Sequence, residues 1–469
     1  MRQARNMRAV AVFLVLALGG CTVGPDYQRP AVDLPDAYPE AAPPATGALT
    51  VPADWWLLYK DPLLDKLVAA GLSNNSDVKL AVARVEEAEG LMREVAATTL
   101  FPEIDLNASA DRSRTTARTG SQSSSSKITR NNFEISGNTS FEVDFWGRLR
   151  RLRTAARDQY MATRYARDVA ALTLTAGISQ TYFTVRSLDA QLIVSDETLQ
   201  AANDSVEIAR RRAAAGLVSE LDVNQALANR AQLAAQIKDL RRLRAATVHQ
   251  LGVLTGLLDL KLEPGDLRKL PAPPLPPPGL PSTLLERRPD VREAEATLMA
   301  ASEQIGVARA AQFPTLSLTA SAGVQSAELS NLFSASAGIW SIGLGVIGPI
   351  LDFGRYQART EQAEARARQA AASYERTVRT AFREVADALT NVQIAAEAEA
   401  DYSERVEQAR NSLRLATQRY DAGYSAYLEV LDAQRTLNDA QLALVRNRQA
   451  FLGFSVDLMN ALGGGWKPY

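Results

Sequence analysis

The sequence is poor in the residues that enzymes and metal proteins depend on. Its 469 residues include one cysteine and one histidine, so no disulfide can form within the chain, and a catalytic triad or histidine-based metal site has little to draw on. His249, the sole histidine, lies in a helical stretch with no serine or cysteine motif beside it. It reads as structural. No phosphate loop or dinucleotide fingerprint appears, and no catalytic residue, metal site or cofactor is assigned. Charge of one sign is missing too. The 52 basic side chains stand against 53 acidic ones, which removes the electrostatic basis for binding DNA or RNA. Beyond residue 20 there is no apolar stretch of the roughly 18 residues that a membrane helix requires. If such a chain crosses a membrane, it does so as strands of a closed barrel, because no other strand arrangement satisfies its backbone in lipid.

What is present begins with Arg2, Arg5 and Arg8, the apolar run AVAVFLVLALGG and then Cys21. Residues 1–20 read as an export signal. Leu18-Gly19-Gly20-Cys21 resembles the lipobox of bacterial lipoproteins, which implies that Cys21 is the lipidated N-terminus of the mature chain. Thr22 follows it where an aspartate would usually retain such a lipoprotein at the inner membrane, so the resemblance implies outer-membrane sorting. Residues 21–62 are expected to form an extended N-terminal segment.

The rest of the chain is written twice. Phe101-Pro102 recurs as Phe313-Pro314, each followed by alternating apolar and polar residues. Gly147-Arg148 matches Gly354-Arg355, Ala215-Gly216 matches Ala422-Gly423, Leu221 matches Leu428 and Leu251 matches Leu458, all 207 residues apart. A constant offset leaves no room for insertions, as expected where each helical turn must meet a neighbour in register. The first repeat spans 63–270, the linker PAPPLPPPGLP spans 271–281, and the second repeat spans 282–469.

Between Gly147 and Gly216, and again between Gly354 and Gly423, no proline occurs and an apolar seam runs at helical spacing. It comprises Leu174, Ile178, Tyr182, Val185, Leu188 and Leu192 in the first copy, and Ala381, Val385, Ala388, Val392 and Ala395 in the second. At about 1.5 Å per residue each segment makes a helix about 100 Å long. Shorter helical stretches, 63–100 and 221–256 in the first copy, would stack end to end alongside it. Gly216 and Gly423 supply the reversal at the far tips.

Four segments alternate, at about 103–111, 133–145, 315–325 and 338–347. Their lengths suit the roughly 9 to 11 tilted residues that cross an outer membrane. The alternative is a pair of amphipathic hairpins packed on a soluble core. Four strands cannot close a bacterial barrel, which starts at about eight, so membrane strands would have to be pooled in an oligomer. Asp105, Asp111, Glu134, Glu142 and Asp144 fall on the polar side and point to a cation-preferring lumen. Arg148, Arg150, Arg151 and Arg153 form an expected solvated or lipid-facing collar.

Cys21-Thr22-Val23-Gly24-Pro25-Asp26-Tyr27, Asp61-Pro62-Leu63-Leu64-Asp65-Lys66-Leu67, the stretch from Leu280-Pro281-Ser282 to Arg287-Arg288-Pro289-Asp290-Val291, and Leu431-Asp432-Ala433-Gln434-Arg435 resemble the outer membrane factors, the TolC and OprM-like exit ducts. The resemblance covers the mature chain and implies a homotrimer, mainly α-helical, with a 12-stranded β-barrel continuous with a 12-column helical periplasmic barrel. It also implies a periplasmic adaptor, a proton-driven inner-membrane pump and outer-membrane lipid as partners, with no enzymatic activity. Carried over by motif, the periplasmic gate involves Leu428, Asp432 and Arg435, with Tyr420 nearby. The first three are spaced to share a helix face, and three copies of Asp432 near an axis would repel one another. As part of this gate, Asp432→Ala with Tyr420→Phe is expected to make the pore leakier. The first repeat offers Leu221, Gln225 and Ala213 at the matched places, without the charge. The tips Ala215-Gly216-Leu217 and Ala422-Gly423-Tyr424 resemble adaptor-docking sites, although their glycines also have a local explanation in the reversal itself. Two other readings remain: a periplasmic coiled-coil scaffold lipoprotein, and an enzyme of envelope metabolism.

Overall fold

The structure is a computed structural model that describes residues 22–35, 38, 52–114, 129–271, 287–464 and 466. Cys21, the export signal and most of the proline-rich linker lie outside the described residues. The elements run α1 (Pro62–Asn74), α2 (Ser76–Leu100), β1 (Glu103–Arg114), β2 (Thr129–Val143), α3 (Arg148–Ala214), α4 (Glu220–Thr255), α5 (Pro289–Ala310), β3 (Thr315–Ser326), β4 (Gly338–Ile347), α6 (Arg355–Asp421) and α7 (Tyr427–Ala461). Among the described residues no helix is long and apolar enough to cross a membrane.

Two compact units emerge, and each draws on both sequence repeats. The first comprises Met1–Pro30, Val85–Thr163 and Ala294–Tyr374; the second comprises Ala31–Arg84, Arg164–Glu293 and Glu375–Tyr469.

In the first unit the four strands form one antiparallel sheet in chain order, β1-β2-β3-β4. Register fixes the faces, because residues directly opposite one another project to the same side. Asp105 pairs with Asn138 and Ser109 with Glu134, Glu134 with Gln325 and Glu142 with Ser317, and Ser317 with Gly345. All of these lie on one face. The opposite face carries Ala108 beside Ile135, Ile135 beside Val324 and Phe141 beside Leu318, and Leu318 beside Leu344. This apolar face is uncovered: Ile104, Leu106, Trp340, Ile342, Leu344 and Val346 are all exposed.

Both long helices contain 67 residues and begin and end 207 apart. Their starts are built alike. Asp144 accepts from the backbone N–H groups of Leu149 and Arg150 at 3.0 and 2.8 Å. Asp352 accepts from those of Gly354 and Tyr356 at 3.3 and 2.9 Å. A carboxylate there satisfies orphan donors and complements the helix dipole. The Tyr356 N–H holds the Asp352 carboxyl below the usual carboxylate range.

The stretch 63–100 is two helices, because Asn75 breaks it. Its side chain caps α2 by accepting from Asp77 N at 2.8 Å and donates to the Leu254 carbonyl at 3.0 Å. A side chain that offers the backbone such an alternative ends one helix and starts the next.

The second unit is held by a core of Trp55, Tyr59, Leu64, Val68, Ile178, Tyr182, Phe183, Leu251, Leu452 and Val456. The α3 seam supplies Ile178, Tyr182 and Val185, all essentially inaccessible. Two buried charged groups inside are well paired. Asp189, itself buried, accepts from Arg186, Arg244 and the Gly265 N–H, which ties the segment after α4 to α3. Arg288 is buried among Asp290, Glu384 and the Ala461 carbonyl at 2.7 to 3.0 Å, so the Arg287-Arg288-Pro289-Asp290 motif closes the second unit around the C-terminal end of α7.

Candidate functional site

The chain offers two functional regions, the two-faced sheet in the first unit and the paired hairpin tips in the second.

On the sheet, Asp105, Asp111 and Glu134 occupy the polar face together. Asp105 and Asp111 are exposed, while Glu134 accepts from Ser136 at 3.0 Å and Gln325 at 3.4 Å. One expectation is corrected. Asp144 lies past the end of β2 and serves as the α3 cap, with Arg150 ion-paired to it at 3.2 Å, so it is not a wall charge. Glu142 does sit on the polar face, but the Arg148 guanidinium grips both its oxygens at 3.0 and 2.6 Å and cancels its charge locally. The arginine collar is corrected at Arg151. Arg151 is buried, donating to Glu303 at 3.0 Å, Asp26 at 3.2 Å and the Gly24 carbonyl at 3.2 Å. A buried guanidinium requires such partners, and here they strap the N-terminal segment to α3 and α5.

At the tips, α3 and α6 end in the same motif. Gly216 and Gly423 adopt φ of +70° and +76°, the left-handed geometry that closes a helix at low steric cost. Leu217 N donates to the Arg212 carbonyl at 2.9 Å, and Tyr424 N donates to the Arg419 carbonyl at 2.9 Å. Ala215, Gly216, Leu217, Ala422, Gly423 and Tyr424 are all exposed. With Leu217 at 73% and Tyr424 at 81% exposure, each tip presents one large apolar side chain to its surroundings.

Leu428, Asp432 and Arg435 share one exposed face of α7. Tyr420 is set apart from them. It is buried with Val206, Ala209, Val223, Ala416, Tyr427, Val430 and Leu431, edge-on to Tyr427 at 5.6 Å. The Arg212 guanidinium lies 4.5 Å from its ring and donates to the Tyr420 carbonyl at 3.3 Å and to Asp421 at 2.9 Å. Arg212 thereby fastens the first tip to the second, a role that single-segment reading missed because its partners lie one repeat away. The Tyr420 hydroxyl, Ser425 Oγ and Gln434 Oε1 are buried without a hydrogen-bond partner. Burial pushes the Tyr427 hydroxyl pKa up.

Among the described residues no group of histidine, cysteine or acidic side chains is arranged to hold a metal ion. His249 is exposed on α4.

A sheet with an exposed apolar face and two unpaired edges, rooted on long paired helices, defines a wall segment of a transmembrane duct. The chain belongs to the outer membrane efflux protein family, which it matches over residues 67–257 and 280–464. It is 37% identical to the solvent efflux pump outer membrane protein SrpC of Pseudomonas putida, across 98% of this chain and 99% of that protein. It is 34% identical to the outer membrane protein OprJ of Pseudomonas aeruginosa, across 97% and 95%. The fold is similar to that of the outer-membrane channel OprN, with a TM-score of 0.88 at 30% identity over 96% of this chain and 100% of that one. The CmeC outer membrane channel of Campylobacter jejuni gives a TM-score of 0.87 at 26% identity over 95% and 96%.

Proposed function

We infer that the chain is the outer-membrane exit duct of a tripartite efflux system, a passive channel that receives cargo from an inner-membrane pump through a periplasmic adaptor. It is an outer-membrane protein. The observation that carries the duct reading is the sheet: one face continuous and apolar, the other polar, and both edge strands open. An open edge cannot stand in lipid, since each unpaired backbone group there costs several kcal/mol. The resemblance to the outer membrane factors implies three copies, whose four-stranded sheets together close a 12-stranded barrel within the range of bacterial barrels, and we assign a homotrimer on that ground. The acidic residues Asp105, Asp111 and Glu134 then line the lumen and favour cations.

The exposed face of Leu428, Asp432 and Arg435 forms the periplasmic gate, and the tips at Leu217 and Tyr424 receive the adaptor. Cys21 carries the lipid anchor. The duct hydrolyses nothing, and its cargo is chosen by the pump. Comparison with relatives widens the range of cargo: one is named for solvent efflux and another, CusC of Escherichia coli, for cation efflux. Small toxic compounds, drugs among them, are the proposed cargo class.

The test is a crosslinking scan in cells. Cysteine placed at Leu217 or Tyr424 should crosslink to the adaptor and co-purify with the pump in outer-membrane complexes, whereas cysteine at the exposed position of His249 should not. Absence of adaptor crosslinks from both tips, with the protein correctly in the outer membrane, would overturn the docking assignment.

A further inference from the structure

The first unit contains a groove that the duct reading does not use. It has a volume of about 760 Å³ and is lined by residues of α2, α3, α5 and α6, a size within the roughly 300 to 1,000 Å³ of small-molecule sites. Its floor is made of small apolar side chains, with Ala155, Ala300 and Ala363 buried. Its polar groups are cationic or neutral: Arg359, Gln362 and Arg366 come from α6, Gln159 from α3, Thr297 and Gln304 from α5, and among the described residues no carboxylate lines it. Residues 359, 362 and 366 follow helical spacing, so both guanidiniums project from the same face of α6.

Two other arginines of these helices are answered by acids: Arg309 pairs with Glu364 at 2.6 Å, and Arg151 with Glu303 at 3.0 Å. Among the described residues the exposed Arg359 and Arg366 have no such ion pair, and Arg359 has only the ring of Tyr356, 5.4 Å away. An apolar floor beneath two unanswered guanidiniums complements a molecule with an apolar body and one anionic head, because the planar fork of arginine matches carboxylate, sulfonate or phosphate oxygens.

We propose that this groove binds a soluble amphiphilic organic anion, its head held between Arg359 and Arg366 and its body on the alanine floor. The binding needs one protomer only. Its use as a resting place for anionic cargo rests on the duct reading above.

The experiment uses the full-length protein in nanodiscs of zwitterionic lipid and two matched probes. One is 1-anilinonaphthalene-8-sulfonate; the other is the same ring system without the sulfonate. Calorimetry should show the sulfonate binding at least roughly tenfold more tightly than the neutral probe, with that difference shrinking as salt is raised. Arg359→Gln with Arg366→Gln should erase the difference and leave the neutral probe unaffected. Ala301→Leu, which narrows the groove without touching a charge, should weaken both probes and guards against misfolding of the double variant. Equal affinity of wild type and double variant for the sulfonate overturns the proposal. So does displacement of the sulfonate by one equivalent of anionic phospholipid, which would make the occupant a lipid, or binding that appears only after the oligomer is dissociated, which would make it a neighbouring copy. A monomeric protein that still discriminates the probes would sink the duct reading and leave the groove standing.

Discussion

At the end of α3 and at the end of α6 the backbone turns in the same way, yet the two tips differ in what they bury. In the first, Ser219 caps α4 by accepting from Leu221 N at 3.1 Å. In the second, the cap position of α7 is Ala426, with nearly the same backbone angles and no capping bond. The second tip also buries the unpartnered oxygens of Tyr420, Ser425 and Gln434, each costing about 1 to 3 kcal/mol. Its α7 face carries Asp432 and Arg435 where α4 carries Gln225 and Ala228. Elements that move are drawn from the less stable parts of a fold. The comparison teaches that the second hairpin is the less well satisfied of the two, which supports the proposed gate there.

The largest expected effect comes from attacking the gate face. Asp432→Ala together with Tyr420→Phe should raise the conductance of the closed pore in planar bilayers several-fold, while Gln225→Ala leaves it unchanged. On the proposed gate the leak is expected from Asp432, which is exposed. Tyr420→Phe alone removes a buried unbonded hydroxyl and should tighten the closed state by about 1 kcal/mol, seen as less leak than wild type. Equal leak from the two repeats would erase the distinction between them.

Next in size is Arg212→Ala. It removes the ring contact to Tyr420 and two hydrogen bonds to the second tip, and should cost about 2 kcal/mol, read as faster protease nicking near residue 423. Nicking that stays at the wild-type rate would show that the link carries nothing.

Exchanging the caps sharpens the comparison directly. Ala426→Ser should slow amide exchange at the start of α7 by an amount worth about 1 kcal/mol, and Ser219→Ala should speed it at the start of α4 by a similar amount.

The smallest effect is a control in the other unit. Burial, with Glu303 nearby, raises the Asp158 carboxyl to about 6. A raised acid pKa stabilises the fold only while the group is protonated. Its contribution is therefore complete below the ordinary carboxylate range and lost as pH rises through about 6. With half-exposure and solvent screening it is worth about 1 kcal/mol. Asp158→Asn should flatten thermal stability between about pH 4 and 6 and leave tip exchange untouched; an unchanged pH slope would refute it.

Much of the fold was legible because it repeats. Two 67-residue helices with one offset are visible as proline-free seams between matched glycines, and strict alternation marks the faces of the sheet. The parts that escaped depend on side chains meeting across distance. Alternation ran on through Asp144, whereas its resemblance to Asp352, each a few residues before a Gly-Arg pair, was the available sign of a helix cap. Asn75 before Ser76 and Asp77 was likewise a cap signal inside an otherwise continuous helical pattern. Arg151 was expected in a solvated collar and Arg212 had no assigned role, since their partners Glu303 and Asp421 lie more than 150 residues away.

The central claim is that each chain supplies one third of a barrel wall. The mass of the purified, detergent-solubilised protein, measured by light scattering and followed by insertion of the same sample into a planar bilayer, tests it most directly. The account predicts a particle of about three times the 50.8 kDa chain that conducts ions with cation preference. A single-chain particle that inserts and carries no current would contradict it.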